Sequence, residues 1–234
     1  GSDNGSGGSS SGSDNGSGGS GNSGNSGSDN GSGSQIQNNS TQNTSQNDTE
    51  PYEDTLDEGD DVTINGVTYE ITENDDSREV AYSGSDNKKA TSCVIPDTVT
   101  IGNTSYAVTE IADNAFSGNK KLKSVKVGKN VAVIGDSAFA KCTSLKSVTL
   151  SSNVTEIGNN AFKKTSLKKI VLPSNVKKIG KNAFYQCKKL KTIQFKSNTV
   201  PTISKNAFKR IDSKASFKVP AKALKQYKKS LGSK

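Results

Sequence analysis

The dipeptide Ala-Phe falls at Ala115-Phe116, Ala138-Phe139, Ala161-Phe162, Ala183-Phe184 and Ala207-Phe208, with intervals of 23, 23, 22 and 24 residues between the phenylalanines. Self-similarity at a period of about 20–50 residues is the mark of a solenoid, in which each repeat is one coil stacked on the next. The spacing therefore predicts a continuous stack of about five coils.

Aligned on Ala-Phe, one unit reads V-x-x-I-G-x-N-A-F-x-x-C-x-x-L-K-x-V-x-L-x-x-N. Val131, Ile134, Phe139, Cys142, Leu145, Val148 and Leu150 show it most clearly. The third unit lacks the Cys and is one residue shorter there, near Thr165; the fifth keeps Val200, Ile203, Asn206 and Phe208 and then departs. Val-x-x-Ile and Val-x-Leu suit short strands, with their apolar residues inside the coil and Phe at its centre. The residue after Ile stays small (Ala112, Gly135, Gly158, Gly180, Ser204), which predicts a tight bend. The Asn or Ser before Ala is expected to cap a short helical turn. One coil buries about seven large apolar side chains at roughly 2 kcal/mol each. Ordering 23 residues costs about 1.5 kcal/mol apiece. No coil can fold alone, so stacking is obligatory.

Composition divides the chain. Residues 1–50 hold one large apolar side chain, Ile36, among Gly, Ser, Asn, Asp, Gln and Thr; such a segment cannot offset its ordering entropy and is expected to be disordered. At roughly 5–6 Å × √n its reach is about 40 Å. SDNGSG recurs at Ser2–Gly7, Ser13–Gly18 and Ser28–Gly33, but no closing Glu follows to complete a calcium loop. Residues 1–87 carry 17 acids and one Arg, and residues 88–234 carry 30 Lys and Arg against six acids. Eight carboxylates crowd into Asp48–Asp61, expected as a solvated extension of the tether, or else as a screen folded back on the basic coils.

The units IGDSAFAKCTSLKSVTL and IGKNAFYQCKKLKTIQF closely resemble the BspA-like leucine-rich-repeat family of bacterial surface proteins. NGVTYEIT…CVIPDTVTIGNTSYAVTEIADNAF is similar to that family's N-terminal β-hairpin cap, and FKVPAKALKQYKKSL to its C-terminal cap of a strand and a short helix begun by Pro. The resemblance covers residues 62–231 or so. It implies a right-handed leucine-rich-repeat superhelix of mostly short strands and short helical turns, export, and a role in adhesion or ligand binding. The expected division is residues 1–61 as a disordered then acidic tether, 62–93 as the N-terminal β cap, 94–212 as a solenoid of about five coils, and 213–234 as the C-terminal cap.

Catalysis has little to build on: the chain has no His, Trp or Met, and Glu110, Asp113, Asp136, Glu156 and Asp212 do not recur as close pairs along the sequence. Ser and Thr lack an evident base, and a Lys-assisted nucleophile has no further support. Three Cys without His do not make a zinc site. Cys142 and Cys187 occupy one repeat position two coils apart, so at about 4.8 Å per coil they lie too far apart to bond; they and Cys93 are expected as buried small hydrophobes. No cofactor and no enzymatic activity are expected.

Lysines carry the functional lead. Lys123, Lys146, Lys168 and Lys191 each follow the repeat Leu, and stacking is expected to bring them into a row. Lys126, Thr149, Lys169 and Gln194 lie beside that row. The bland reading is a solvated face; the sharper one is a polyanion-binding stripe for wall polymer or glycosaminoglycan. Only Arg78 and Arg210 are arginines, which argues against specific nucleic-acid readout, and no basic-aromatic interleaving is visible. The expected protein is a monomeric, non-enzymatic bacterial surface protein binding an extracellular protein or glycan. A structural surface spacer without a specific ligand is the other alternative. No run approaches the roughly 18 apolar residues of a membrane span. Membrane attachment is expected only through a lipid anchor upstream of Gly1.

Overall fold

The computed structural model describes residues 56–232. The glycine-rich repeats and the first part of the acidic stretch lie outside the described residues. A meander of β1 (Asp61–Ile64), β2 (Val67–Glu73) and β3 (Glu79–Ser85) opens the fold with antiparallel pairing. Then come β4 (Ser92–Val94) and a hairpin of β5 (Thr98–Ile101) with β6 (Thr104–Ile111). Each later coil adds one strand to each of two ladders.

The first ladder carries the Val-x-x-Ile positions: β6 pairs in parallel with β8 (Val133–Ile134), then β10 (Glu156–Ile157), β12 (Lys178–Ile179) and β14 (Thr202–Ile203). Because β3 pairs in parallel with β6, the meander extends this ladder at its N-terminal end. The second ladder holds β4, β7 (Ser124–Lys126) and β9 (Ser147–Thr149), and separately β11 (Lys169–Leu172), β13 (Thr192–Phe195) and β15 (Ser216–Lys218). It is interrupted between β9 and β11, where the third coil is one residue short between Phe162 and Leu167.

A third seam runs through the Ala-Phe turns. Phe116 N–H donates to Ala138 O, Phe139 to Ala161 O, Phe162 to Ala183 O and Phe184 to Ala207 O, each at 2.8 Å. These turns contain no α-helix. Asn114, Ser137, Asn160, Asn182 and Asn206 have φ between 56° and 61°. The expectation that they cap a helical turn is therefore corrected: they occupy the left-handed region, which Asn tolerates better than most residues.

The small residue after Ile also has a different reason from the one expected. A Cβ on Gly158 would lie 2.8 Å from Gly135 C and Asp136 N, and one on Gly180 would lie 2.5 Å from Gly158 C. Neither glycine has a positive φ. They are small because the preceding coil's backbone passes too close for a side chain.

The core is one continuous column. Tyr82, Phe116, Phe139, Phe162, Phe184 and Phe208 stack ring on ring, at 5.0–5.2 Å and within 15° of parallel. Helix α1 (Leu224–Leu231) closes the C-terminal end. Its buried Tyr227 packs 4.8 Å from Phe195 and donates its hydroxyl to Ser197 O. No helix among the described residues is long and apolar enough to cross a membrane.

Candidate functional site

Because the apolar positions of every coil point inward, the outward positions form columns along the stack, and their charge changes sign. Residues 56–162 carry 15 acids and ten bases; residues 163–229 carry 20 bases and one acid, Asp212. The position two before Ala shows the change: Asp113, Asp136, Asn159, Lys181, Lys205.

The early acids of that column clasp the backbone. Asp113 Oδ1 accepts the Asp136 N–H, Asp136 Oδ1 accepts the Asn159 N–H, and Asn159 Oδ1 accepts the Lys181 N–H at 2.8 Å. Their recurrence is legible only once the units are aligned. Beside them Glu110 is half-buried; burial first, then Asp113, Glu70 and Glu156, raise its carboxyl above the usual range.

The candidate lysines Lys123, Lys146, Lys168 and Lys191 are all exposed. Lys146 N–H donates to Lys123 O at 2.8 Å, and Lys191 N–H to Lys168 O at 2.9 Å. No backbone hydrogen bond joins the Lys146 and Lys168 rungs among the described residues, because the ladder breaks there. The backbone hydrogen bonds along the row are therefore continuous only within each pair. Lys126 lies opposite Thr149 and Val94, Lys169 opposite Thr192, and Gln194 between Val171 and Lys218. Lys126, Lys169 and Thr149 are exposed and Gln194 is half-buried.

A second basic feature lies on the turn seam. Lys163 of the third coil has its ammonium 6.0 Å from the Tyr185 ring centre, and Arg210 of the fifth has its guanidinium 5.7 Å from the same ring. A cation held near an aromatic ring is partly ordered without a carboxylate. This interleaving of basic and aromatic groups is absent from the linear sequence because its three members lie 22 and 25 residues apart. It appears when the two positions after Phe are aligned.

Ion pairing leaves this region mostly uncompensated. Among the described residues, Lys178 is the one base of residues 163–229 in an ion pair, with Glu156 at 2.5 Å; that hydrogen bond raises its ammonium above the ordinary value. Asp97 pairs with Lys129 at 3.3 Å and is held below the carboxylate range, chiefly by the Lys129 backbone N–H.

The thiols are structural in character. All three cysteines are free. Cys142 Sγ donates to Phe116 O and Cys187 Sγ to Phe162 O, each at 2.9 Å, which ties one coil to the coil before it. Buried Thr165 takes the Cys position in the third coil, and its hydroxyl meets Cys187 Sγ at 3.2 Å. Burial pushes the Cys142 and Cys187 thiols up to about 11. Cys93, expected to be buried, is only half-buried, 3.7 Å from the Tyr82 hydroxyl. No group of three or more metal-ligating side chains occurs among the described residues.

Residues 109–231 match the model of the BspA type leucine rich repeat region, in six copies. No curated protein matches the chain. Among solved structures, a leucine-rich repeat protein from Bacteroides capillosus is 33% identical over 58% of this chain and 98% of its own, with a TM-score of 0.52. The pneumococcal vaccine antigen PcpA is 20% identical over 70% of this chain, with a TM-score of 0.57, a likeness of fold. A leucine-rich repeat protein from Bacteroides ovatus is 27% identical over 56% of this chain, with a TM-score of 0.46. The chain spans 47% of the pneumococcal antigen and 40% of the Bacteroides ovatus protein.

Proposed function

Because the chain belongs to the BspA-type leucine-rich-repeat family, we propose that it is a non-enzymatic bacterial surface protein. It takes an extracellular macromolecule on the outer faces of its coils, in an adhesion-type role. The observation that carries this reading is the column architecture: a rigid core presents outward side chains in register, an extended surface of the kind solenoids use for binding. A polar tether ending in a lipid anchor upstream of Gly1 fits that placement. A precursor without a cysteine there removes the anchor. An array of extracellular-matrix proteins and glycans, probed with the full chain, tests the main reading. Saturable binding to at least one class supports it, and silence across the array at micromolar protein leaves the spacer alternative.

A second reading has its own support in the basic half. Twenty bases with one acid over residues 163–229, one of the bases ion-paired among the described residues, favour a polyanionic partner whose binding releases counterions. The dominance of Lys over Arg suits diffuse attraction rather than forked phosphate recognition. Retention on immobilised heparin beyond ~150 mM salt supports this. Replacing Lys163, Lys168, Lys191 and Arg210 with Gln should abolish it. Replacing Lys88, Lys89, Lys120 and Lys121, an equal charge change in the earlier part, should leave it.

A further inference from the structure

The N-terminal meander extends only one of the two ladders. β3 continues the Val-x-x-Ile ladder, whereas β4 begins the other and pairs with β7 alone. Thr91 O accepts the Lys123 N–H and Ile95 N–H donates to Lys126 O, so β4 spends its inward backbone groups on the first coil. Its opposite edge pairs with no strand among the described residues. In a strand, alternate residues direct their backbone groups to opposite edges, which places those of Ser92 and Val94 on the open side. Val94 is one of two exposed large hydrophobic residues among those described, at 65%.

That edge borders a concavity of about 720 Å³ between the meander and the first coil. All three residues of β4 line it. Its aromatic lining comes from Tyr69, Tyr82 and Phe116, each mostly buried. Lys88, Lys120 and Lys121 also line it, and no Asp or Glu does. The cleft is thus locally cationic within residues 56–162, where acids outnumber bases.

We propose that this cleft is a peptide-binding site: an extended acidic segment of a partner protein adds as a strand to the free edge of β4. An open edge offers a row of main-chain donors and acceptors. A strand has a side-chain period of two. Val94 shares the outer face with its exposed partner Lys126, whereas Cys93 turns inward to the Tyr82 hydroxyl. Apolar side chains of one set therefore meet the aromatic lining, and the other set, carrying carboxylates, lies on the outer face beside Val94, with the cleft lysines supplying the countercharge. Charge decides against a second copy, since pairing β4 with β4 would set three lysines against three. It also sets this site apart from the basic half, which lies in later coils and whose binding is tested with different residues.

The probe is a fluorescein-labelled Glu-Val-Glu-Val-Glu-Val-Glu peptide added to the full chain at low salt, followed by anisotropy and amide hydrogen exchange. Saturable binding with slowed exchange at Ser92 and Val94 is the expected result. Val94→Pro removes an edge N–H that the fold does not use, a position where Pro is tolerated, and should weaken binding at least tenfold. The triple replacement of Lys88, Lys120 and Lys121 with Gln leaves the edge intact and should weaken binding about tenfold. Equal binding of a Lys-Val-Lys-Val-Lys-Val-Lys peptide, unchanged exchange at β4, or full affinity in both variants overturns the proposal. So does protection of β4 without peptide: if lost on deleting residues 1–55 it assigns the edge to the chain's own acidic segment, and if concentration-dependent, to a second copy.

Discussion

The Phe139 ring lies 5.2 Å from the Phe162 ring, with the two planes 5° apart. The same offset recurs through the stack, and both ends turn a ring edge-on: Tyr69 against Tyr82 at 81°, and Phe217 against Phe208 at 83°. Offset stacking and edge-to-face contact are the two favourable aromatic geometries. The column is therefore aromatic from meander to C-terminal strand, and a mid-column ring touches one ring on each side. Phe162→Ala should remove about 3–5 kcal/mol of stability, the range for emptying a buried aromatic site. Urea denaturation followed by circular dichroism measures it; a loss below about 1 kcal/mol would show that the column relaxes around the gap.

Gly158→Ala tests the close approach of coils. The added Cβ meets backbone atoms of the preceding coil at 2.8 Å, and backbone cannot swing aside as a flexible side chain can. Overpacking of this kind costs about 1–3 kcal/mol. In a free turn with φ below zero, the same change would stabilise by removing glycine's entropy. A rise in Tm on Gly158→Ala would refute the close-approach account.

Ser137 is the single serine among the five left-handed positions before Ala, at φ 58°. Ser137→Gly should stabilise by a few tenths to about 1 kcal/mol, because glycine enters that region without the Cβ penalty. Asn160→Ala should destabilise by about 1 kcal/mol for the same reason. A helix-capping role predicts the opposite for Ser137→Gly, so thermal melts of the two variants separate the accounts.

Much of this architecture is legible in the Ala-Phe beat. A fixed period with inward Val, Ile, Leu and Phe can be satisfied only by stacking, and both ladders follow from short β-branched runs. Three features resisted linear reading. The left-handed Asn carries the residue type of an N-cap, and only φ distinguishes the two. Tyr82 begins the ring column from the meander, outside the repeat register. The missing residue before Leu167 looks like a local deletion, yet it interrupts the ladder that carries the lysine row. The Lys163–Tyr185–Arg210 cluster resisted for another reason: it joins three coils, and its members meet only after folding.

Thiol chemistry should follow burial. Cys142 and Cys187 are fully buried, and their thiols are raised to about 11, so both stay protonated at neutral pH. Iodoacetamide at pH 8 should modify half-buried Cys93 first and leave the other two to global unfolding. The sign for stability follows: the folded state favours the neutral thiols, so their contribution is complete below the ordinary Cys value of about 8.5. It is lost as pH rises toward 11. Mass spectrometry after timed alkylation, with melts between pH 8 and 11, checks both statements. Modification of Cys187 at the rate of Cys93 contradicts the assignment.

Glu110 supplies the opposite end of the pH scale. Its carboxyl is raised by burial and by Asp113, Glu70 and Glu156, so the folded state is penalised whenever Glu110 is ionised. That penalty is absent below about pH 4, where the carboxyl is protonated in folded and unfolded chains alike. It grows as pH rises through the ordinary carboxylate value and is complete above the raised one. Glu110→Gln keeps the shape and removes the charge. It should raise Tm at pH 7 and leave Tm unchanged at pH 3.5. Glu156→Gln serves as the contrast, since Glu156 holds Lys178 at 2.5 Å and its loss removes an attraction along with a repulsion. A Glu110→Gln gain that is equal at both pH values would mean the carboxylate's charge is not the source of the penalty.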